Sequence, residues 1–442
     1  MTSTASAINP SKHFLVQLLR ILVYSKGLCH TNQMSQPTSE TSLTRLRRQL
    51  IALGIAKGLL FWYAIEKLFE TRIGFGPQEI ILIGVLAQGS KIALELPTSV
   101  FADRWSRRNV LLLAQAAMFV CCVVLGLSSS LLVYCVGVLF WSLSDALTSG
   151  VYEAFAYDSV EAAGYKRHFQ KIYTRMKSGE LTSMALAGVI AGVLSLHFSL
   201  RFSFFLSIVS TLGCSVLLLR LPEPAVKQAM SNTVTWLGHV NGAFKTLVGP
   251  KLRWPALIYI TFVGFLSIWY EYYQLLGIDI KLSPLLFGSL ISVLTLGMMI
   301  GSEIAHRQSG TRQTLIAVWV VLLLTHLIGL RFHTVWVAFM SLFVTFVALM
   351  LLEIYLELYI QDTIISEQRA TVLSLASTLS YACFFIFAGI LSLALKPLGI
   401  RGALTMVSLP LLLLGVVDIA KRVPWAIGKK APEPLAEEIP ER

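Results

Sequence analysis

The chain has 442 residues, of which 55% are apolar and only 14% charged, and its formal net charge is +12. A soluble chain carries about 25% charged residues, and here the apolar excess comes in blocks of roughly 20 residues, the length of a helix that crosses a bilayer. A soluble globular protein is thereby excluded, and positive-inside topology accounts for the basic charge without a nucleic-acid partner.

Residues 1–48 read as a cytoplasmic tail, polar and mixed, with one short apolar patch over 13–24 that Arg20 interrupts. The patch is too short to span and lacks a small-residue cleavage site. It reads as a surface amphipathic helix or, equally, as a segment preceding a true start at Met34. Twelve spans follow, at about 49–71, 79–102, 109–128, 131–157, 179–197, 201–221, 254–276, 283–305, 313–331, 334–360, 370–395 and 400–420. The expected class is an all-α membrane protein of twelve transmembrane helices. A polar insert at 222–253, opening on Pro222-Glu223-Pro224, divides a six-helix half (49–221) from a second (254–420), and 421–442 is a second tail.

Lys and Arg set the orientation. With an even number of spans, both termini share a side; 26 of the 36 basic residues fall on that side and six on the other. The tails, the insert and the loop at Arg104 are therefore expected in the cytoplasm of a cell envelope's inner membrane. Of the cysteines, Cys121, Cys122, Cys135, Cys214 and Cys383 lie in apolar runs, and no CxxC pair occurs. They read as packing residues, and no metal site is expected.

The halves echo each other. Ala102-Asp103-Arg104-Trp105-Ser106 recurs as Ala305-His306-Arg307-Gln308-Ser309, Glu153…Asp158 as Glu357…Asp362, and Trp62-Tyr63 as Trp269-Tyr270, at shifts of 203 to 207. Two parallel six-helix repeats are the mark of a transporter architecture that binds its solute between the halves.

The stretch Glu95-Leu-Pro97-Thr98 through Asp103-Arg104-Trp105-Ser106-Arg107-Arg108 names the family. Its Asp-Arg-x-x-Arg-Arg block resembles the Gly-x-Leu-Ala-Asp-Arg-x-Gly-Arg-Lys motif of the major facilitator superfamily, with Ser99 and Ser106 where that motif usually has glycines. Ser149-Gly150-Val-Tyr-Glu153-Ala154-Phe-Ala-Tyr157-Asp158 and Arg369-Ala370-Thr371-Val372 are similar to a bacterial subgroup of drug or unknown-solute transporters. The resemblance implies a latch between the halves on the cytoplasmic side, with Asp103 facing the start of span eleven near Arg369. Arg104, Arg107 and Arg108 read equally as topology anchors.

Acids within spans are costly and generally face a cavity or a partner. Glu66 in span one, Asp145 and Glu153 in span four, Glu271 in span seven, and Glu353 and Glu357 in span ten fall on the four helices that the resemblance places around the central cavity. Apolar surroundings favour the protonated form of a carboxylate, which suits proton binding and release. Glu66, Asp145, Glu271, Glu353 and Glu357 are the expected proton or substrate carboxylates. Lys91 and Glu95, four apart, are expected to neutralise each other. Adjacent Glu66 and Lys67 are expected to point apart, leaving Lys57 to offset a cavity charge. Trp62, Tyr63, Trp141, Tyr270, Tyr273 and Gln274 are candidate cavity residues, suited to apolar or cationic solutes through stacking and cation–π contact; each aromatic reads also as part of an interfacial belt.

No phosphate-cradling glycine loop and no zinc spacing occurs, so neither an enzyme nor a cofactor is expected. The expected activity is proton-coupled efflux of small amphipathic or cationic compounds by a monomer in the lipid bilayer, without nucleic acid. The alternatives are solute uptake by symport, or a non-transporting receptor or scaffold on the same fold.

Overall fold

In hydrocarbon every backbone polar group must be satisfied within the protein, so runs of apolar residues fold as helices. The computed structural model describes residues 40–221, 244–307, 311–332, 334–364 and 369–421. The rest of the predicted tails and of the insert lie outside the described residues. Span one is Glu40–Gly58, a 3-10 turn at Tyr63–Ile65, and Glu66–Arg72; spans two and three are Pro77–Arg104 and Arg107–Leu127. Span four is Leu131–Thr148 and Val151–Ala162, followed by span five at Phe169–His197 and span six at Arg201–Arg220. The second half begins with span seven, Arg253–Tyr272 and Gln274–Asp279, then Pro284–Arg307, Arg312–Arg331 and Val335–Thr363. Spans eleven and twelve lie in Arg369–Lys421, broken at Gly399.

Among the described residues, nine helical segments meet the length and apolarity of a membrane crossing, one of them carrying spans eleven and twelve. Spans two and seven, the first charged at Lys91 and Glu95 and the second broken at Tyr273, complete the twelve. Hydroxyl caps start several helices. Ser106, Ser130 and Thr311 accept from the amides of Asn109, Val133 and Thr314 and so satisfy donors that have no intrahelical partner. Gly399 turns the chain between spans eleven and twelve at φ +68°, and Gly150 does so inside span four at φ +71°. That backbone region is strained for residues bearing a Cβ.

Each half repeats the packing of the other. Spans one and five, two and four, three and four, and three and six pair in the first half; seven and eleven, eight and ten, nine and ten, and nine and twelve pair in the second. The halves meet through span five on span eight and span two on span eleven, again a symmetric set, and through the far ends of spans one and seven. At the first of these contacts the helices approach as closely as backbones can. A Cβ on Gly288 would abut the backbone of Gly188 and Gly192, and small residues permit such contact in a membrane. Ser292 donates to the Ala185 carbonyl at 2.6 Å, and Gln78 to that of Ser392 at 3.4 Å.

These cross-half contacts lie toward the end of the bundle that carries Arg72 and Lys281. At the opposite, basic end a separate core around Leu50, Leu111, Phe155 and Met176 consists, among the described residues, of first-half side chains alone. Among the described residues, the cross-half contacts gather at one end, and the core at the other belongs to the first half.

Candidate functional site

A cavity of about 290 Å³ lies between the halves. Its walls begin with the break in span one. Between Gly58 and Glu66 the helix is interrupted, and span six receives the freed backbone groups. Ser207 Oγ accepts from the Phe61 amide at 2.9 Å, and Ser210 Oγ donates to the Leu59 carbonyl at 2.5 Å. The interruption presents Leu60 and Tyr63 to the cavity.

Six of the candidate carboxylates and cavity residues line this space: Tyr63, Trp141, Asp145, Tyr270, Glu271 and Glu353. The other cavity candidates do not line it. Trp62 is fully buried, stacked on Phe204 and edge-on to Trp141. Tyr273 is buried against Phe346. Gln274 fastens the halves: its Oε1 accepts from the Lys67 amide at 3.2 Å and its Nε2 donates to the Tyr63 carbonyl at 3.1 Å. Glu357 is buried one turn beyond Glu353, with Tyr259 in electrostatic reach of both. Glu66 lies behind the wall in a charge cluster described below.

One local pairing read from spacing is replaced by a tertiary one. Lys91 pairs with Asp145 of span four, not with Glu95; the Glu95 carboxylate accepts from Ser149 Oγ at 3.4 Å. Spans two and four pack side by side, so a partner 54 residues away is nearer than the next turn allows. Lys57 reaches Glu180 of span five at 2.8 Å, and the other oxygen of Glu180 takes Lys177 at 2.8 Å. Both lysines also lie over the ring of Tyr152, at 4.5 and 5.8 Å from its centroid. Glu180 escaped sequence reading because it stands one residue inside the span read at 179–197, next to the basic stretch before it. The helix begins at Phe169, since helical hydrogen bonding continues beyond the hydrocarbon.

Behind the cavity sits the densest set of charges. Lys67 Nζ is 3.0 Å from Glu271, 3.3 Å from Glu66 and 3.5 Å from Glu70. Lys67 and Glu70 are 1% and 0% exposed. Adjacent Glu66 and Lys67 therefore do form a pair, against the geometric expectation. The helix restarts at Glu66 after a non-helical Ile65 (φ −121°, ψ 12°), and the long Lys67 side chain bends back from there. Glu70, absent from the sequence reading, was legible as an acid three residues from Lys67. Three carboxyl groups share one ammonium, a set that balances its charge only when two of them hold protons. Buried charges persist where they are paired, so the number of bound protons follows from what else neutralises the cluster.

The predicted gate is described only in part. Asp103 and Arg104 end the span-two helix, but their side chains, like those of Arg369 and Asp362, lie outside the described residues. Arg107 forms an ion pair with Asp158 of span four, within the first half. Arg108 is half-buried beside it at the start of span three.

The model of the Major Facilitator Superfamily matches residues 50–388. Solved structures align over most of the chain. The nucleoside transporter NupG is 12% identical, with a TM-score of 0.69 over 85% of this chain and 98% of its own. The bacterial homologue of the human lysosomal transporter Spinster, inward-facing and unoccupied, is 12% identical, with a TM-score of 0.63 over 90% of this chain and 100% of its own. The D-xylose–proton symporter is 11% identical, with a TM-score of 0.63 over 89% and 98%. No curated protein matches the chain in sequence.

Proposed function

The chain belongs to the major facilitator superfamily, and from that premise we propose that it is a proton-coupled exporter of small amphipathic solutes carrying a cationic group. One observation carries the reading. Glu271 lines the solute cavity and at the same time touches Lys67 of the buried cluster at 3.0 Å. A cation arriving in the cavity and a proton arriving in the cluster thus compete for one carboxylate. Solute binding releases a proton, and proton binding expels solute, which is the reciprocity of two linked sites.

The basic end is cytoplasmic by the Lys and Arg distribution. The described cross-half contacts gather at the opposite end, which supports an inward-facing arrangement, ready to load from the cytoplasm. Trp141, Tyr63 and Tyr270 offer faces for an apolar body and for cation–π contact. Export is assigned from the resemblance of residues 95–109 and 149–159 to drug and unknown-solute transporters.

The test is transport by purified protein in proteoliposomes under an imposed pH gradient, with an organic-cation panel. Solute accumulation in inside-out vesicles that follows an acidic lumen is the expected result. Accumulation that instead follows external acid in right-side-out vesicles would replace export with uptake. No pH dependence for any transported member of the panel would remove proton coupling.

A further inference from the structure

We propose that the solute carries, beside its cationic group, a primary or cyclic amide, and that Gln88 and Gln115 bind that amide. This rests on the cavity being the solute site, as in the preceding reading, and extends it to the uncharged part of the solute.

The lysines of the lining are matched within the protein. Lys57 pairs with Glu180, and Lys91 with Asp145. Glu271 serves Lys67 and, in the preceding reading, the cation of the solute. The hydroxyls of three lining residues are engaged by their own helices. Thr148 Oγ1 donates to the Ser144 and Asp145 carbonyls at 3.0 Å, Thr211 Oγ1 to that of Ser207 at 3.0 Å, and Ser267 Oγ to that of Val263 at 2.9 Å. Two carboxamides differ from these. Gln88 of span two and Gln115 of span three line the cavity, and neither side chain has a hydrogen-bond partner among the described residues. Gln115 is buried, with 7% of its surface exposed.

A glutamine inside a span brings two donors and an acceptor that hydrocarbon cannot satisfy. With no partner in the protein, each amide depends on what occupies the cavity. A solute that displaces water from them must supply equivalent bonds or leave them unmade. A carboxylate there would face lysines whose charge is already matched. A hydroxyl offers a single oxygen. A primary or cyclic amide presents its N–H and C=O side by side, and it pairs with a carboxamide through two parallel N–H···O bonds, one in each direction. Trp141 lines the same cavity and offers a face to the apolar body of the solute. A volume of about 290 Å³ lies at the small end of ligand pockets, which suits a compound with one ring, one amine and one amide.

A site that hydrogen-bonds a polar group rejects the analogue lacking it, because its own groups are then left unpaired. One such bond corresponds to about tenfold in affinity. Purified full-length protein is titrated with phenylalaninamide, phenylalanine methyl ester and phenethylamine, and with the three tryptophan counterparts, with thermal stabilisation as the readout. The ester keeps the acceptor and lacks the donor; the simple amine lacks both. At least one amide is expected to stabilise at a concentration about tenfold lower than its ester and its amine. In protein carrying Gln88→Leu and Gln115→Leu together, first shown to be monodisperse, the amide is expected to fall to the level of its amine. A preference that survives both substitutions overturns the proposal. So does equal or stronger stabilisation by the esters or amines in the parent protein, a result that needs no variant and leaves a cation exporter standing. So does a response to none of the six compounds in a preparation that transports other organic cations. Loss of pH-driven transport for every solute, with the amide preference present in the parent protein and absent from the double variant, removes the exporter reading and keeps the amide site.

Discussion

The amide of Lys67 donates to Oε1 of Gln274 at 3.2 Å, across a sequence separation of 207 residues. That separation equals the offset between Trp62-Tyr63 and Trp269-Tyr270. The two residues therefore occupy matching places in the two repeats and meet each other where the repeats meet. Each stands where its span breaks and resumes, Glu66–Arg72 in one half and Gln274–Asp279 in the other. The duplication has diverged here into a division of labour. The first copy supplies the ammonium and two carboxyls, and the second supplies the amide that bridges the halves and, through Glu271, the carboxylate that faces the cavity.

Removing the ammonium leaves three buried carboxyl groups without a counter-charge. Lys67→Met is expected to destabilise the protein by about 3–5 kcal/mol, the usual cost of breaking one side of a buried ion pair. Adding Glu271→Gln to it should restore part of the loss, because the pair then leaves together. Thermal unfolding of the four members of this cycle in detergent measures the coupling; strictly additive effects would show that Lys67 and Glu271 do not stabilise each other.

The contact of Lys91 with Asp145 joins spans two and four beside the cavity. Either Lys91→Met or Asp145→Asn is expected to impair transport. The exchanged pair, Lys91→Asp with Asp145→Lys, should recover more activity than either single variant. Uptake rates in proteoliposomes decide it, and an exchanged pair no better than the worse single variant would mean that the pairing is incidental.

The helical spans were legible because apolar length is a direct physical requirement of the bilayer. The end of span one was not, because hydropathy does not register the breaks at Gly58 and Ile65. The arithmetic of a regular helix then set Glu66 and Lys67 apart. Lys91 presents a related case. Spacing offered Glu95 as its partner, and only the packing of two spans reveals Asp145. Cavity acids Asp145, Glu271 and Glu353 stood out since charge in hydrocarbon is costly. Glu70 lies near the end of span one, and Glu180 near the start of the span that hydropathy marks out, where charge is ordinary and carries no such signal.

The Gly188–Gly288 contact holds the halves together at the end away from the basic loops. Gly288→Val forces these backbones apart and is expected to populate an arrangement open at that end. Spin labels introduced at Arg72 and Lys281 should report a longer distance in the variant than in the parent protein. An unchanged distance distribution would show that the contact does not set the equilibrium between the two arrangements.

Trp319 donates its indole N–H to the buried Asp418 at 2.9 Å, linking spans nine and twelve. Asp418→Leu leaves that donor unsatisfied at a cost of roughly 1–3 kcal/mol. The thermal midpoint is expected to fall, with the solute concentration for half-maximal transport unchanged. A change in that concentration would tie Asp418 to the transport site.

The central claim is that Glu271 joins the solute cavity to the proton cluster, and one comparison addresses it most directly. Parent protein and Glu271→Gln, both verified as folded, are reconstituted and assayed for pH-driven accumulation and for solute–solute exchange without a gradient. The account expects Glu271→Gln to retain exchange and to lose accumulation driven by the pH gradient. Accumulation at the parent level in Glu271→Gln would contradict it.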